Sequence, residues 1–336
     1  MSSLSDRFGR HFQYLRLSLT DSCNFKCKYC LPHGYQKNSY QKSSYQNGNE
    51  AEPLTRAEIS NLVSGFAELG TFKVRLTGGE PTLRKDLVDI VSDISSIPGI
   101  TKIALSTNGT RLSSLAQDLK LAGLNSVNVS IDSLHAATFA EHTGMDRLEE
   151  VQAGVKTALS LSFDAVKINA VLMKKTYREE FERFEAWVKE NPVTVRFIEL
   201  MPTGSTKAYF EENHVSSAVV KEELIARGWT KRARNLGDGP AEEWEHAHSR
   251  GRLGIIAPYG KEFCSTCNRL RVSARGELKL CLFAESNQSV RHFLQKPSQK
   301  EELKKLLVKL VQGKDESHYL PEGRVGNNFS FSSIGG

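Results

Sequence analysis

No apolar run in this 336-residue chain approaches the roughly 18 residues of a helical membrane span. Met1 to Arg10 lack the apolar stretch of a secretion signal. No membrane association is therefore expected, and the expected location is the cytoplasm. Cysteine is scarce, with six residues, and disulfides are rare in a reducing compartment. The six are accordingly expected to be metal ligands. Neither sign of charge dominates strongly. The formal charge of +6 suits either ordinary solubility or an anionic ligand, and the placement of the basic residues decides between them. With 39% hydrophobic and 25% charged residues the composition is that of a globular protein. The length suits one large domain, or a barrel-sized domain with a smaller one.

The six cysteines fall into two groups of three. Cys23, Cys27 and Cys30 have the spacing C-x3-C-x2-C, and Cys264, Cys267 and Cys281 have C-x2-C-x13-C. Three thiolates are one short of a closed zinc site or a fully ligated 4Fe-4S cluster. A three-thiolate cluster leaves one iron for a non-protein ligand, and two such clusters imply two ligands. A zinc site at the first group would need a fourth ligand such as His33.

Apolar and polar residues alternate over 12–20, which predicts a strand ending at the first triad. The polar stretch 33–52 nearly repeats a Tyr-Gln-Lys unit and reads as a surface loop. A helix is predicted from Thr55, with Glu58 completing a capping box and Gly70 at its end. Strands over 72–77, 102–107, 126–132, 166–172 and 194–201 then alternate with amphipathic helices over 85–96, 111–122, 148–161 and 178–189. That alternation predicts parallel βαβ units. The rhythm stops after Met201, and a loose domain boundary is placed near residue 230, between a core over 8–230 and a C-terminal region over 231–336. A last helix is expected with a capping box at Ser298 and Glu301. The tail ends in Gly335-Gly336 and has the composition of a frayed terminus.

Parallel strands covered by helices normally read as continuous apolar runs. Here one face of the strands carries Arg16, Lys73, Arg75, Ser106, Asn128, Ser130, Lys167, Asn169 and Arg196. In a full or partial barrel these residues would line the lumen, where unpaired charge is costly. Lumen carboxylates such as Asp132 could pair with some of them, but one acid cannot neutralise five cations. A polyanionic ligand is the expectation.

The first triad, with Tyr29 beside its last cysteine, resembles that of the radical S-adenosylmethionine enzymes. Gly78-Gly79-Glu80-Pro81 at the end of the second strand is similar to the segment that receives the methionine amino group in that superfamily. The resemblance implies a partial (β/α)6 TIM-like barrel, one 4Fe-4S cluster whose open iron chelates S-adenosylmethionine, and contacts to that cofactor from Tyr29, Gly79, Ser130 and Met201. The cofactor then carries the radical chemistry.

Further stretches resemble one member family. They are Phe8-Gly9-Arg10, 14–21, Cys264 to Cys281 with Asn268-Arg269-Leu270-Arg271, Cys281-Leu282-Phe283 and Gly335-Gly336. They are similar to the GTP 3′,8-cyclases, which open molybdenum cofactor biosynthesis. This resemblance implies a second 4Fe-4S cluster in the C-terminal region with guanine at its open iron. It also implies a GTP site lined by Arg16, Lys73, Arg75, Ser106, Lys167, Arg196, Arg269 and Arg271, where bidentate arginines would suit the phosphates. Gly335 and Gly336 would reach into the barrel to support catalysis. An electron donor is implied, with a product passed to cyclic pyranopterin monophosphate synthase, and a homodimer is left open. Ser22 stands where the family usually has arginine, and 33–52 looks like an insertion. The competing expectations are a peptide-modifying radical enzyme with an auxiliary cluster and a non-catalytic iron-sulfur protein that binds nucleic acid with steep salt dependence. With a GTP site, no nucleic acid is expected as partner.

Overall fold

The computed structural model describes residues 4–35, 52–203, 206–235, 238–260, 262–284, 287–326 and 331–333. Most of the 33–52 stretch, and Gly335 and Gly336, lie outside the described residues. Six strands run through the first part of the chain: β1 (Tyr14–Ser18), β2 (Lys73–Thr77), β3 (Lys102–Thr107), β4 (Ser126–Ser130), β5 (Ala165–Leu172) and β6 (Thr194–Glu199). Each pairs in parallel with the next. The crossovers carry α1 (Arg56–Glu68), α2 (Leu87–Ser95), α3 (Leu112–Leu121), α4 (Ala136–Thr143), α5 (Leu148–Ser160) and α6 (Tyr177–Glu190). The expected β/α alternation is therefore present.

The helix α1 begins as its sequence predicts. Thr55 accepts from the Glu58 amide, and the Glu58 carboxylate accepts from the Thr55 amide, at 2.8 Å for the latter. The short helix α4 was not predicted. It buries only Phe139 among its apolar side chains, so it has no apolar stripe to detect, and Gly144 ends it in the left-handed region at φ 68°. The expected capping box at Ser298 is not formed. Pro297 opens a 3-10 turn over Pro297–Gln299, and α9 (Lys300–Val311) starts after Gln299. The fixed φ of proline favours that early turn. Between these lie α7 (Lys207–Asn213) and α8 (Ala218–Ala226).

The C-terminal region joins the same sheet. Its strands are β7 (Thr230–Lys231), β8 (Glu242–Glu245), β9 (Arg252–Ile256), β10 (Arg269–Val272), β11 (Glu277–Lys279) and β12 (Gln288–Ser289). Strand β9 pairs in parallel on β6, and β10 pairs in parallel on β1. The order is β12-β11-β10-β1-β2-β3-β4-β5-β6-β9-β8-β7. No pairing closes this order among the described residues, so the barrel is partial, as expected. Leu15, Leu17, Val74, Leu76, Leu105, Val127, Val129 and Ile168 are buried under the helices. The opposite face is the polar one, and it faces the cavities described next.

Candidate active site

The first triad follows β1 directly. The Cys30 and Leu31 amides both donate to the Cys27 carbonyl, at 3.0 and 2.8 Å, which winds Cys27–Cys30 into a tight turn. The Gly-Gly-Glu segment holds this turn from the neighbouring strand end. The Gly79 amide donates to Thr20 at 2.8 Å and the Glu80 amide to Ser22 at 2.7 Å. Gly78 has φ +136°, and a Cβ there would lie 2.3 Å from the Thr20 carbonyl oxygen. A Cβ on Gly79 would lie 2.2 Å from that of Ser22. Only glycine permits this approach. Glu80 is fully buried and serves as a brace. Its carboxylate accepts from Thr107 Oγ1 at 2.7 Å and from the Asn108 amide at 2.6 Å, tying β2 to β3.

Cys23, Cys27 and Cys30 line a cavity of about 1130 Å³, mouth included, with Tyr29, Gly78, Gly79, Ser106, Ser130, Asp132, Asn169, Ile198 and Met201. Tyr29 Oη donates to Asp132 at 2.8 Å, and the Val171 amide donates to the same carboxylate at 2.9 Å. Asp132 is thus engaged away from the basic strand residues. Of those residues Lys167 has an acidic partner, Glu243 of β8, whose carboxylate lies 2.6 Å from its Nζ and also 3.6 Å from Arg232.

The second triad borders an adjoining cavity. Cys264, Cys267 and Cys281 line it together with Arg10, Tyr14, Arg16, Arg75, Arg196, Arg269, Arg271, Lys314 and His318. Asn169, Ile198 and Met201 line both cavities. Arg10 holds the Cys264 loop in place. It donates to the Cys264 carbonyl at 3.2 Å, to Glu316 at 2.8 Å and to Asp315 at 2.6 Å, while Asp6 accepts from its Nε at 2.6 Å. The two strand registers explain the density of cations. Arg269 and Lys73 flank Tyr14, and Arg271 and Arg75 flank Arg16.

Both triads suit iron-sulfur clusters. The lining of the first cavity includes no histidine. In the second, both His318 nitrogens are occupied, with Nε2 donating to Pro258 at 2.8 Å and Nδ1 accepting from Leu320 at 2.9 Å. Among the described residues neither lining adds a fourth cysteine or a histidine with an unoccupied ring nitrogen, which suits a cluster with one open iron. Burial pushes the Cys23 thiol up to about 12 and raises Cys27 as well, where Asp132 adds to the effect. Ligation at this site must therefore release protons. Burial also opposes ionisation of Cys267, but Arg269 and then Lys314 outweigh it and lower the thiol to about 6. Nε of Arg196, Arg269 and Arg271 is buried with no hydrogen-bond partner among the described residues. Three such donors around one cavity fit an anionic ligand.

The expected cofactor contacts Tyr29, Gly79, Ser130 and Met201 all meet at the first cavity. Of the expected anion-binding set, Arg16, Arg75, Arg196, Arg269 and Arg271 meet at the second. Ser106 lines the first cavity and accepts from Arg75 Nη1 at 3.0 Å. Lys167 opens with Arg196 on a third cavity, and Lys73 lies 4.7 Å above the Tyr14 ring centroid. Sequence reasoning missed Tyr14, Arg10, Glu243 and Phe331. Phe331 lines the first cavity and packs with Leu282, Phe283 and Leu320, against which Cys30, Met201 and Cys281 also pack.

Comparison with known proteins agrees with this geometry. Residues 17–188 match the Radical SAM superfamily, and residues 193–320 match Molybdenum Cofactor Synthesis C. The chain is 45% identical over 335 residues to a GTP 3′,8-cyclase of Haemophilus influenzae (strain PittGG), covering 100% of this chain and 97% of that one. It is 45% identical over 333 residues to that of Pasteurella multocida (strain Pm70), covering 99% and 96%. Among solved structures, Streptococcus suis SuiB bound to S-adenosylmethionine superposes with TM-score 0.62 at 14% identity, covering 90% of this chain and 68% of that one. The peptide-bound anSMEcpe complex gives TM-score 0.56 at 15% identity, covering 89% and 83%. These two likenesses concern the fold.

Proposed function

This chain belongs to the GTP 3′,8-cyclase family of radical S-adenosylmethionine enzymes, and on that premise we propose that GTP is cyclised in the cavity between its two cysteine triads. The activity is conversion of GTP to (8S)-3′,8-cyclo-7,8-dihydroguanosine 5′-triphosphate, in molybdenum cofactor biosynthesis. The cofactors are two 4Fe-4S clusters and S-adenosylmethionine. Cys23, Cys27 and Cys30 would hold the first cluster, and Cys264, Cys267 and Cys281 the second. The wall of Asn169, Ile198 and Met201 common to both cavities is the observation that carries this reading.

Held by Cys23, Cys27 and Cys30, a cluster with S-adenosylmethionine would supply one-electron cleavage of the sulfonium, and one held by Cys264, Cys267 and Cys281 would supply a binding site for the guanine base. The protein's own residues do the rest. Tyr29, Gly79, Ser130 and Met201 border the S-adenosylmethionine site. Arg16, Arg75, Arg196, Arg269 and Arg271 bind and orient the triphosphate, as buried guanidiniums suit phosphate oxygens. Lys73, Lys167 and Ser106 complete that binding set from its edges. The apolar group of Phe283, Leu320 and Phe331 keeps water from the junction of the cavities. It also seats Phe331, a few residues ahead of Gly335 and Gly336, for which a supporting role in catalysis is part of this proposal. The core over 8–230 supplies the first cysteine triad and the region over 231–336 the second, while both contribute to the lining of the second cavity. We further propose a cytoplasmic enzyme fed by an electron donor, whose product passes to cyclic pyranopterin monophosphate synthase. No described helix is long and apolar enough to cross a membrane.

The test is anaerobic incubation of reconstituted protein with S-adenosylmethionine, reductant and GTP. Deoxyadenosine formed only with GTP, together with the cyclised nucleotide, is expected. Deoxyadenosine without change in GTP would overturn the reading.

A further inference from the structure

We propose that Tyr14 is a proton-exchanging counter-ion of the polyphosphate site, which orients Arg75 and takes up a proton from solvent when the nucleotide's phosphates enter. The inference rests on the reading of this cavity as a nucleotide site.

Tyr14 lies opposite Arg269 of β10 on one side and Lys73 of β2 on the other. The next inward row is Arg271, Arg16 and Arg75. Within these two rows the phenol is the one group that can become negative. Of the carboxylates nearby, Glu243 pairs with Lys167, Asp132 accepts from Tyr29, and Asp238, which acts on Lys73, accepts from the Asn235 amide at 2.7 Å. Arg75 Nε donates to the phenol oxygen, and Arg75 Nη1 donates onward to Ser106 at 3.0 Å. The ring also lies under Lys73 Nζ, 4.7 Å away. Tyr14 is only 2% exposed, so water does little to screen these charges.

Guanidiniums keep their protons in proteins. Within these two rows the crowding can therefore be relieved only at Tyr14 and Lys73. Burial alone would push the phenol up, but Arg75, then Arg16, Lys73 and Arg269 outweigh it and bring Tyr14 to about 7. Burial, opposed by Tyr14, lowers Lys73 to about 8. Arg196 and Arg271 also sense the charge on Tyr14. The surrounding cations thus favour a phenolate at Tyr14 in the nucleotide-free enzyme at mildly alkaline pH. Phosphate oxygens replace it as their partner, its affinity for a proton rises, and the phenolate oxygen is protonated from solvent.

The inference is tested by calorimetric titration of GTP into the two-cluster enzyme at pH 8 in Pipes and in Tris, whose ionisation enthalpies differ. The difference in heat gives protons taken up per GTP. Wild type is expected to exceed Tyr14→Phe by close to one proton, and the same excess is expected when both carry Lys73→Arg. Iron content and melting temperature confirm that each variant is folded and loaded. Equal uptake in wild type and Tyr14→Phe would overturn the inference and leave the nucleotide site standing. No binding of GTP by loaded wild type would overturn both.

Discussion

Cys30 and Cys281, from opposite ends of the chain, pack against one small apolar cluster made of Leu282, Phe283, Leu320 and Phe331. The two triads are thereby held on either side of one junction, which Met201 also borders. Phe331 is the last large side chain of this group in the sequence. Phe331→Ala removes a buried aromatic, a loss of about 3 kcal/mol. It is expected to cut cyclised product roughly tenfold or more while both clusters remain, and iron analysis beside a product assay checks this. Product at the wild-type level would show that the cluster has no part in catalysis.

Arg271 is buried, and its Nε lacks a hydrogen-bond partner among the described residues. Losing a charge-assisted phosphate contact costs about 1.5–3 kcal/mol, or about 10- to 150-fold in affinity. Arg271→Ala is expected to weaken GTP binding by that factor and leave S-adenosylmethionine binding unchanged. Equilibrium binding of each ligand to loaded protein distinguishes the two.

Gly79→Ala would place a Cβ 2.2 Å from the Ser22 carbonyl oxygen. The turn before Cys23 must then move, and a shift of about 1 Å beside reacting groups costs on the order of a hundredfold in rate. The expected result is a loss of S-adenosylmethionine cleavage of about that size. The second cluster, scored by electron paramagnetic resonance in the reduced protein, stays in place.

Glu58 links α1 to the C-terminal region through Arg291, whose Nε lies 2.8 Å from its carboxylate. Burial opposes ionisation of Glu58, but Arg291, the Thr55 amide and Gln295 outweigh it and lower the carboxyl to about 2. A depressed carboxyl stabilises the fold above its unfolded pKa and loses that contribution as pH falls through the folded value. Glu58→Gln is therefore expected to destabilise the protein by about 1–3 kcal/mol at pH 7. The difference from wild type should shrink as pH falls from about 4.5 towards 2. Denaturant melts across that range report it, and a gap that does not change with pH would contradict the assignment.

Much of this architecture is legible in the sequence because it is local and periodic. The alternation of Leu15, Arg16 and Leu17 marks both faces of β1, and the cysteine spacings mark both triads. What escaped depends on distant parts of the chain meeting. Glu243 reaches Lys167 only because β8 and β9 fold back onto β6, and nothing in the periodicity of either segment records that. Tyr14 reads as an ordinary strand aromatic until register sets Arg269 and Lys73 on its two sides. Glu80 belongs to a recognisable motif, yet its brace to Asn108 needs two strand ends side by side. The helix α4 has a single buried apolar residue, Phe139, which is too little to make a pattern.

The most direct test of the account uses a Cys23→Ala, Cys27→Ala, Cys30→Ala protein, which keeps only the second triad. Its reduced cluster is examined by electron-nuclear double resonance with GTP carrying nitrogen-15 in the guanine ring. The account predicts a nitrogen-15 coupling that appears with labelled GTP and is lost in Arg271→Ala at the same nucleotide concentration. A second cluster that assembles, binds GTP and shows no guanine nitrogen coupling would contradict it.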